Sequence, residues 1–184
     1  VLGRSSADWP AFPGYDVPAW ISEGMATYYE SVLTGAGRVN GTFHDMVLRT
    51  AILEGQFESP GQVSGLSPNW PAGVRVYAYG TAFLEHLLTE YGEERMGEFV
   101  NSVSQQLIPW RVESGARNAF GVGFGEAWSA WQAGLEATYR AEAAALAEAA
   151  PVTIGEPIAT AGRFALFPKV SPDGTRVAYL RSDG

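Results

Sequence analysis

Pro18-Ala19-Trp20-Ile21-Ser22-Glu23-Gly24-Met25-Ala26-Thr27-Tyr28-Tyr29-Glu30 is the stretch on which the reading of this chain turns. Proline suits the first helical position, since it lacks an N–H and its φ is already set. Asp16 just upstream favours the positive end of the helix dipole. Trp20, Met25, Tyr28, Tyr29 and Val32 recur with roughly helical periodicity, which predicts a helix over 18–34 with those residues turned inward. Glu23 and Glu30 lie on nearly the same face as Trp20. A carboxylate among large apolar groups is costly unless a cation, a metal ion or solvent satisfies it.

Working outward, the spacing predicts further helices over 42–54, 75–91, 93–107 and 125–149. Gly35-Ala36-Gly37 and Tyr91-Gly92 supply stops. Residues 55–73 hold Gly55, Pro60, Gly61, Gly65, Pro68, Pro71 and Gly73 and read as a long loop, either functional or a surface excursion. Trp128, Trp131, Leu135 and Tyr139 form the inward stripe of the last helix. Its Ala141–Ala150 tail has helix propensity but little to pack. Gly121-Val122-Gly123-Phe124-Gly125 lacks the strand-before, helix-after setting of a phosphate loop and reads as a helix–helix turn.

Trp20-Ile21-Ser22-Glu23-Gly24-Met25-Ala26 resembles the Trp-Leu-x-Glu-Gly-x-Ala segment that supplies the third zinc ligand in gluzincin metallopeptidases, which include the aminopeptidase N family and the bacterial peptidase MA-like proteins. Val76-Tyr77-Ala78-Tyr79-Gly80-Thr81-Ala82-Phe83-Leu84 is similar to the Tyr-x-Lys-Gly-x-x-x-Leu segment of the aminopeptidase-type members, with Tyr79 where they have lysine. The resemblance implies Glu23 as a metal ligand and Tyr77 as the hydroxyl that stabilises the oxyanion, with Tyr79 a lesser candidate for that role. Tyr77 also shares a helical face with Leu84, Leu88 and Tyr91 and reads equally as core. Glu30 is either an outer carboxylate that orients a histidine ligand or a solvated surface group.

The same resemblance implies zinc bound with two histidines of an H-E-x-x-H helix, one turn apart so that both reach the metal at about 2 Å. His44 and His86 are the two histidines of the chain and have no such spacing. His44 falls in the first turn of the 42–54 helix, and His86 reads as a partly exposed helix residue. The chain starts at Val1, so the expectation is that two of the three zinc ligands lie upstream. The intact parent would then be a zinc metallopeptidase acting on a peptide or protein substrate, and the 184-residue chain alone would be inactive.

Composition changes at Pro151. Phe164–Val170, Ser171-Pro172-Asp173-Gly174-Thr175 and Arg176–Leu180 read as strand, tight turn, strand, the second strand half-buried by its alternation. The run Val170–Tyr179 resembles the repeat of TolB-like β-propellers, Phe-Ser-Pro-Asp-Gly-x-x-Ile-Ala-Phe. Such blades need neighbours to bury both faces, so residues 155–184 read as the start of a propeller. The fold expected is therefore mainly α: residues 1–150 the helical part of a peptidase MA-like domain, and 151–184 a linker with a short β segment.

A hydrophobic content of 46% supports an ordered core. A net charge of −8 disfavours nucleic acid and anionic membranes as partners. No apolar run approaches the ~20 residues of a membrane span. The absence of cysteine excludes thiol catalysis and thiolate-ligated zinc. The propeller resemblance implies a periplasmic or secreted setting. Two rival classes stay open: a non-catalytic helical-plus-propeller module that binds a protein, and a hydrolase built on a carboxylate pair such as Glu23 and Glu30. Adjacent turns of one helix do not obviously form the facing pair, about 5–10 Å apart, that a glycosidase needs.

Overall fold

A computed structural model describes residues 17–66, 70–106, 111–150, 153–162 and 164–182. Asp16, Pro68, Leu107 and Pro151, which figured in the expectations above, lie outside the described residues. The chain divides into two compact units, Val1–Ala145 and Leu146–Gly184.

The described residues form seven α-helices: α1 (Ala19–Thr34), α2 (Thr42–Leu53), α3 (Pro60–Ser64), α4 (Arg75–Tyr91), α5 (Glu94–Ser104), α6 (Val112–Phe120) and α7 (Phe124–Ala149). Short 3₁₀ turns, Arg38–Asn40 and Ala72–Val74, precede α2 and α4. The five helices read from periodicity are present with ends shifted by up to three residues, and Gly121–Gly123 joins α6 to α7 as a turn. Pro18 caps α1 from just outside, with an extended ψ of 137°, and is not its first helical residue.

The 55–73 segment is not a bare loop. It contains α3, opened by Ser59 and Gln62: the Gln62 side-chain oxygen accepts from the Ser59 N–H and from its hydroxyl, each at 2.8 Å. Glu58 anchors the rest. Its backbone N–H donates to the Tyr79 hydroxyl at 3.4 Å, and its carbonyl accepts from Trp128 Nε1 at 3.0 Å. Its carboxylate pairs with buried Arg75 at 3.3 Å. Arg75 also donates to the Ala72 and Gln62 carbonyls at 3.1 and 3.2 Å. One guanidinium thus ties the loop, α3 and the 3₁₀ turn to the start of α4.

Helix α4 is the centre of the first unit. Ala78, Tyr79, Gly80, Thr81, Phe83, Leu84, Leu87 and Leu88 are all buried, on more than one side of the helix, because α1, α2, α3 and α5 all pack on it. Trp20, Phe57, Tyr79, Phe83, Phe124, Trp128 and Trp131 form a continuous aromatic cluster. Trp20 meets Phe83, Phe124 and Trp128 edge-on, with centroids 5.1–5.5 Å apart, the geometry that the ring quadrupoles prefer.

The α1–α4 contact is the most extensive between any two helices, and it corrects one expectation. The buried face of α1 is Trp20, Ile21, Gly24, Thr27 and Ser31, while Met25 and Tyr28 are only partly covered and Tyr29 and Val32 are exposed. The reason is the closeness of the helix axes. A Cβ on Gly24 would lie 2.5 Å from the Gly80 carbonyl carbon, and a Cβ on Gly80 would lie 2.2 Å from the Trp20 carbonyl oxygen. Backbones that approach this closely leave room only for glycine at the crossing itself, and Tyr29 and Val32 fall outside the contact.

In the second unit, β1 (Phe164–Val170) and β2 (Val177–Ser182) pair antiparallel, with a register irregularity between Leu166 and Lys169. The Pro172-Asp173-Gly174 turn is as read: Gly174 takes φ 70° and donates to the Ser171 carbonyl at 2.9 Å. Asp173 accepts from the Ser171 hydroxyl and from the Thr175 N–H and hydroxyl, which draws its carboxyl down to about 2. The expected half-burial of the second strand does not occur. Every residue of β2 is exposed, since two strands offer no second layer to cover either face.

Candidate functional site

Glu23 projects from the second turn of α1, beside the Gly24–Gly80 crossing, and is half-buried. Its carboxylate has no hydrogen bond or ion pair among the described residues. Trp20, one turn earlier, is buried in the aromatic cluster, so the two do not share an environment. Glu30 is half-exposed and bound at 3.0 Å by Arg38, from the 3₁₀ turn after α1. Its partner in this structure is therefore a guanidinium rather than a histidine.

Arg38 also stacks on Tyr77, its Cζ 4.9 Å from the ring centroid. The stacking ties Tyr77 to the flank of α1 that carries Glu30. Glu23, seven residues before Glu30, lies about 10.5 Å away along the same flank, offset by roughly 20° around the axis. Tyr77 is half-buried, and its hydroxyl has no hydrogen-bond partner among the described residues.

Tyr79 is placed differently. It is fully buried, stacked on Trp128 at 6.0 Å and 4°, with its hydroxyl accepting from the Glu58 N–H. Burial pushes this phenol up to about 12. Tyr79 is thus an internal support for the Glu58 segment. Of the two tyrosines, Tyr77 has the open hydroxyl.

Sequence spacing separates the two histidines, yet the fold brings both to the wall of one cleft of about 420 Å³ between α2, α4 and α7. His44 is buried, and its Nδ1 has no hydrogen-bond partner. Thr81 on the facing helix is 2% exposed with its hydroxyl also unpartnered. Each such group costs about 1–3 kcal/mol relative to one that is satisfied. Burial lowers the His44 pKa, and the nearby Arg38 charge lowers it further. Burial also lowers that of His86, against an opposing pull from Glu90. Asp45, on the same wall, accepts from Tyr139 at one oxygen (2.7 Å) and from Arg49 at the other (2.8 Å).

This cleft is what sequence reasoning missed. The available signal was a run of small residues on one face of α4, Ala78, Thr81 and Ala82, opposite His44 on α2. Small side chains on facing helices leave space between them.

No group of three histidine, cysteine, aspartate or glutamate side chains suited to a metal ion occurs among the described residues. Glu23 is therefore not part of such a group among the described residues. None of the described helices is long and apolar enough to cross a membrane.

Comparison with family models, curated proteins and solved structures finds no match for this chain. The functional reading therefore rests on the two short segment resemblances, the residues and their geometry.

Proposed function

We propose that this chain carries the third-ligand part of a gluzincin-type zinc metallopeptidase, the H-E-x-x-H helix belonging to a segment outside it. The observation that supports this most is the meeting of the two short segments that resemble that family. Their glycines, Gly24 and Gly80, are in backbone contact, and Tyr77 is tied through Arg38 to the flank of α1 that carries Glu23. The two segments, each picked out by resemblance, lie more than fifty positions apart and come from the two most extensively packed helices.

Zinc, when bound, would supply an acidified water and polarise the substrate carbonyl. Glu23 contributes an uncommitted carboxylate to hold the ion. Tyr77 would contribute its phenolic O–H to the carbonyl oxygen as that gains negative charge, a role in which one lost donor costs roughly 10²–10³ in rate. Alone, the chain holds one ligand of three and binds zinc weakly. The exposed apolar residues of the hairpin, Phe167, Val170 and Leu180, suit the opening of a propeller that further strands would cover.

The test uses the intact parent. Glu23→Gln is expected to lose bound zinc and activity together, since a neutral amide is the poorer ligand. Tyr77→Phe is expected to keep its zinc and lose kcat. Full zinc content and full peptide hydrolysis in Glu23→Gln would overturn the reading.

A further inference from the structure

The cleft between α2, α4 and α7 has no part in the proposed peptidase chemistry, and neither Glu23 nor Tyr77 lines it. It encloses about 420 Å³, within the range of small-ligand pockets. Among its lining residues Val39, Ala82 and Leu135 are only partly buried, so they present apolar surface to the space.

The charges on its wall decide what fits it. Two carboxylates, Asp45 on α2 and Glu85 on α4, stand against one guanidinium, Arg38. Arg38 is balanced by Glu30 at 3.0 Å and laid over the Tyr77 ring. Asp45 is balanced by Arg49 at 2.8 Å. Burial lowers the pKa of both His44 and His86, so they are neutral at pH 7 and add no positive charge. Glu85 is the charge that remains. It is exposed, and it has no hydrogen bond or ion pair among the described residues. The atoms around it still push its carboxyl up, and no cation draws it back. An apolar lining beside a surplus carboxylate disfavours an anion and leaves a cation as the complementary guest.

We propose that this cleft binds a primary ammonium ion on an apolar stem, with the ammonium against Glu85 in the field of Asp45 and the stem lying on Val39, Ala82 and Leu135. A small free amine and a lysine side chain present the same chemistry. The site requires no metal, so it stands or falls independently of the peptidase reading.

The test is titration of the isotope-labelled 184-residue chain, zinc-free and at low salt, followed by NMR at the Ala82 amide, the Leu135 methyls and the Trp131 indole. Phenethylamine is expected to shift all three saturably. Its neutral counterpart, 2-phenylethanol, is expected to bind at least ~5-fold more weakly, the scale of a partly exposed charge contact. The anion 3-phenylpropionate is expected not to bind. Nα-acetyl-lysinamide distinguishes the sources: binding comparable to phenethylamine assigns a lysine side chain, and its failure assigns a small free amine.

Glu85→Gln removes the charge at an exposed position, so thermal stability holds while phenethylamine weakens by the same factor. Glu90→Gln is the control, since Glu90 lies on the same helix but off the lining, and it is expected to leave the affinity unchanged. Equal losses in both variants would reduce the effect to the general field of a chain of net charge −8. That outcome, unchanged affinity in Glu85→Gln, no saturable shift at tens of millimolar amine, or equal binding of 2-phenylethanol or 3-phenylpropionate would each overturn the proposal.

Discussion

Replacing Gly80 by alanine tests the helix crossing on which the placement of Glu23 and Tyr77 depends. The new Cβ would sit 2.2 Å from the Trp20 carbonyl oxygen, 3.0 Å from its carbon and 3.1 Å from Gly24 Cα. All three are backbone atoms, so no side chain can swing away. Non-bonded heavy atoms settle nearer ~3.5 Å, which obliges α1 to retreat by about 1 Å. A gap of that size forfeits roughly a quarter to a half of each affected dispersion contact. Overpacking of this kind costs about 3 kcal/mol, the upper part of the usual range.

Against that stands the gain of roughly 1 kcal/mol that alanine brings over glycine inside a helix. The net expectation for Gly80→Ala is a loss of about 2 kcal/mol, or a melting point lower by roughly 4–8 °C. Gly97 in α5 provides the control, because a Cβ there meets nothing within 4 Å. Gly97→Ala should stabilise by about 1 kcal/mol for the propensity reason alone. Urea unfolding followed by far-UV circular dichroism measures both. Gly24→Ala should resemble Gly80→Ala, and the double variant should cost less than the sum, since one retreat of α1 relieves both clashes. A Gly80→Ala protein as stable as the wild type would refute the close crossing.

Three further outcomes are expected. Because burial lowers the pKa of His44 and His86 below 6.5, the folded unit takes up protons less readily than the unfolded chain, so stability should fall as pH drops below about 6.5; imidazole NMR midpoints at or above that value would contradict this. Asp173, drawn down to about 2 by its turn hydrogen bonds, should titrate by carboxyl NMR well below the ordinary aspartate value, and the turn's contribution should decline progressively as pH falls from 3.8 towards 2; a midpoint near 3.8 would remove the turn geometry. Arg75→Ala leaves the Glu58 carboxylate without its cation and frees the 54–59 segment, so a loss of about 3 kcal/mol and faster amide exchange at Glu58 are expected; unchanged exchange would show that Arg75 does not hold the segment.

Of the local structure, most was legible. Long helices with apolar periodicity and glycine stops, and a Pro-Asp-Gly turn between β-rich runs, are written in neighbouring residues. Two short helices were not read. Helix α3 hides in a run rich in glycine and proline, although Ser59 and Gln62 three residues apart are a visible cap signature. Helix α6 is nine residues long, too short for periodicity to stand out, with its buried face reduced to Gly115, Ala116, Ala119 and Phe120.

The candidate site was legible only in part. The resemblance singled out Glu23 and Tyr77, and both have uncommitted polar groups in the structure. Nothing local distinguished Tyr77 from Tyr79, two residues on, nor indicated that Glu30 would meet Arg38. These depend on which side of α4 faces the aromatic cluster and where the turn after α1 lands.

By itself the sequence determined where the chain would be helical, where it would reverse, and that two carboxylates, Glu23 and Glu30, would sit on a largely apolar helix. Those outcomes follow from backbone hydrogen bonding, capping and side-chain periodicity, which act over a few residues. The tertiary structure alone decided that Gly24, Thr27 and Ser31 join Trp20 on the inner face of α1 in place of Tyr29 and Val32, that Tyr79 is core, and that His44 and His86 share a cleft. Each of these is a distance between segments remote along the chain, set by how closely two backbones approach, and Gly24 against Gly80 allows an approach that periodicity cannot express.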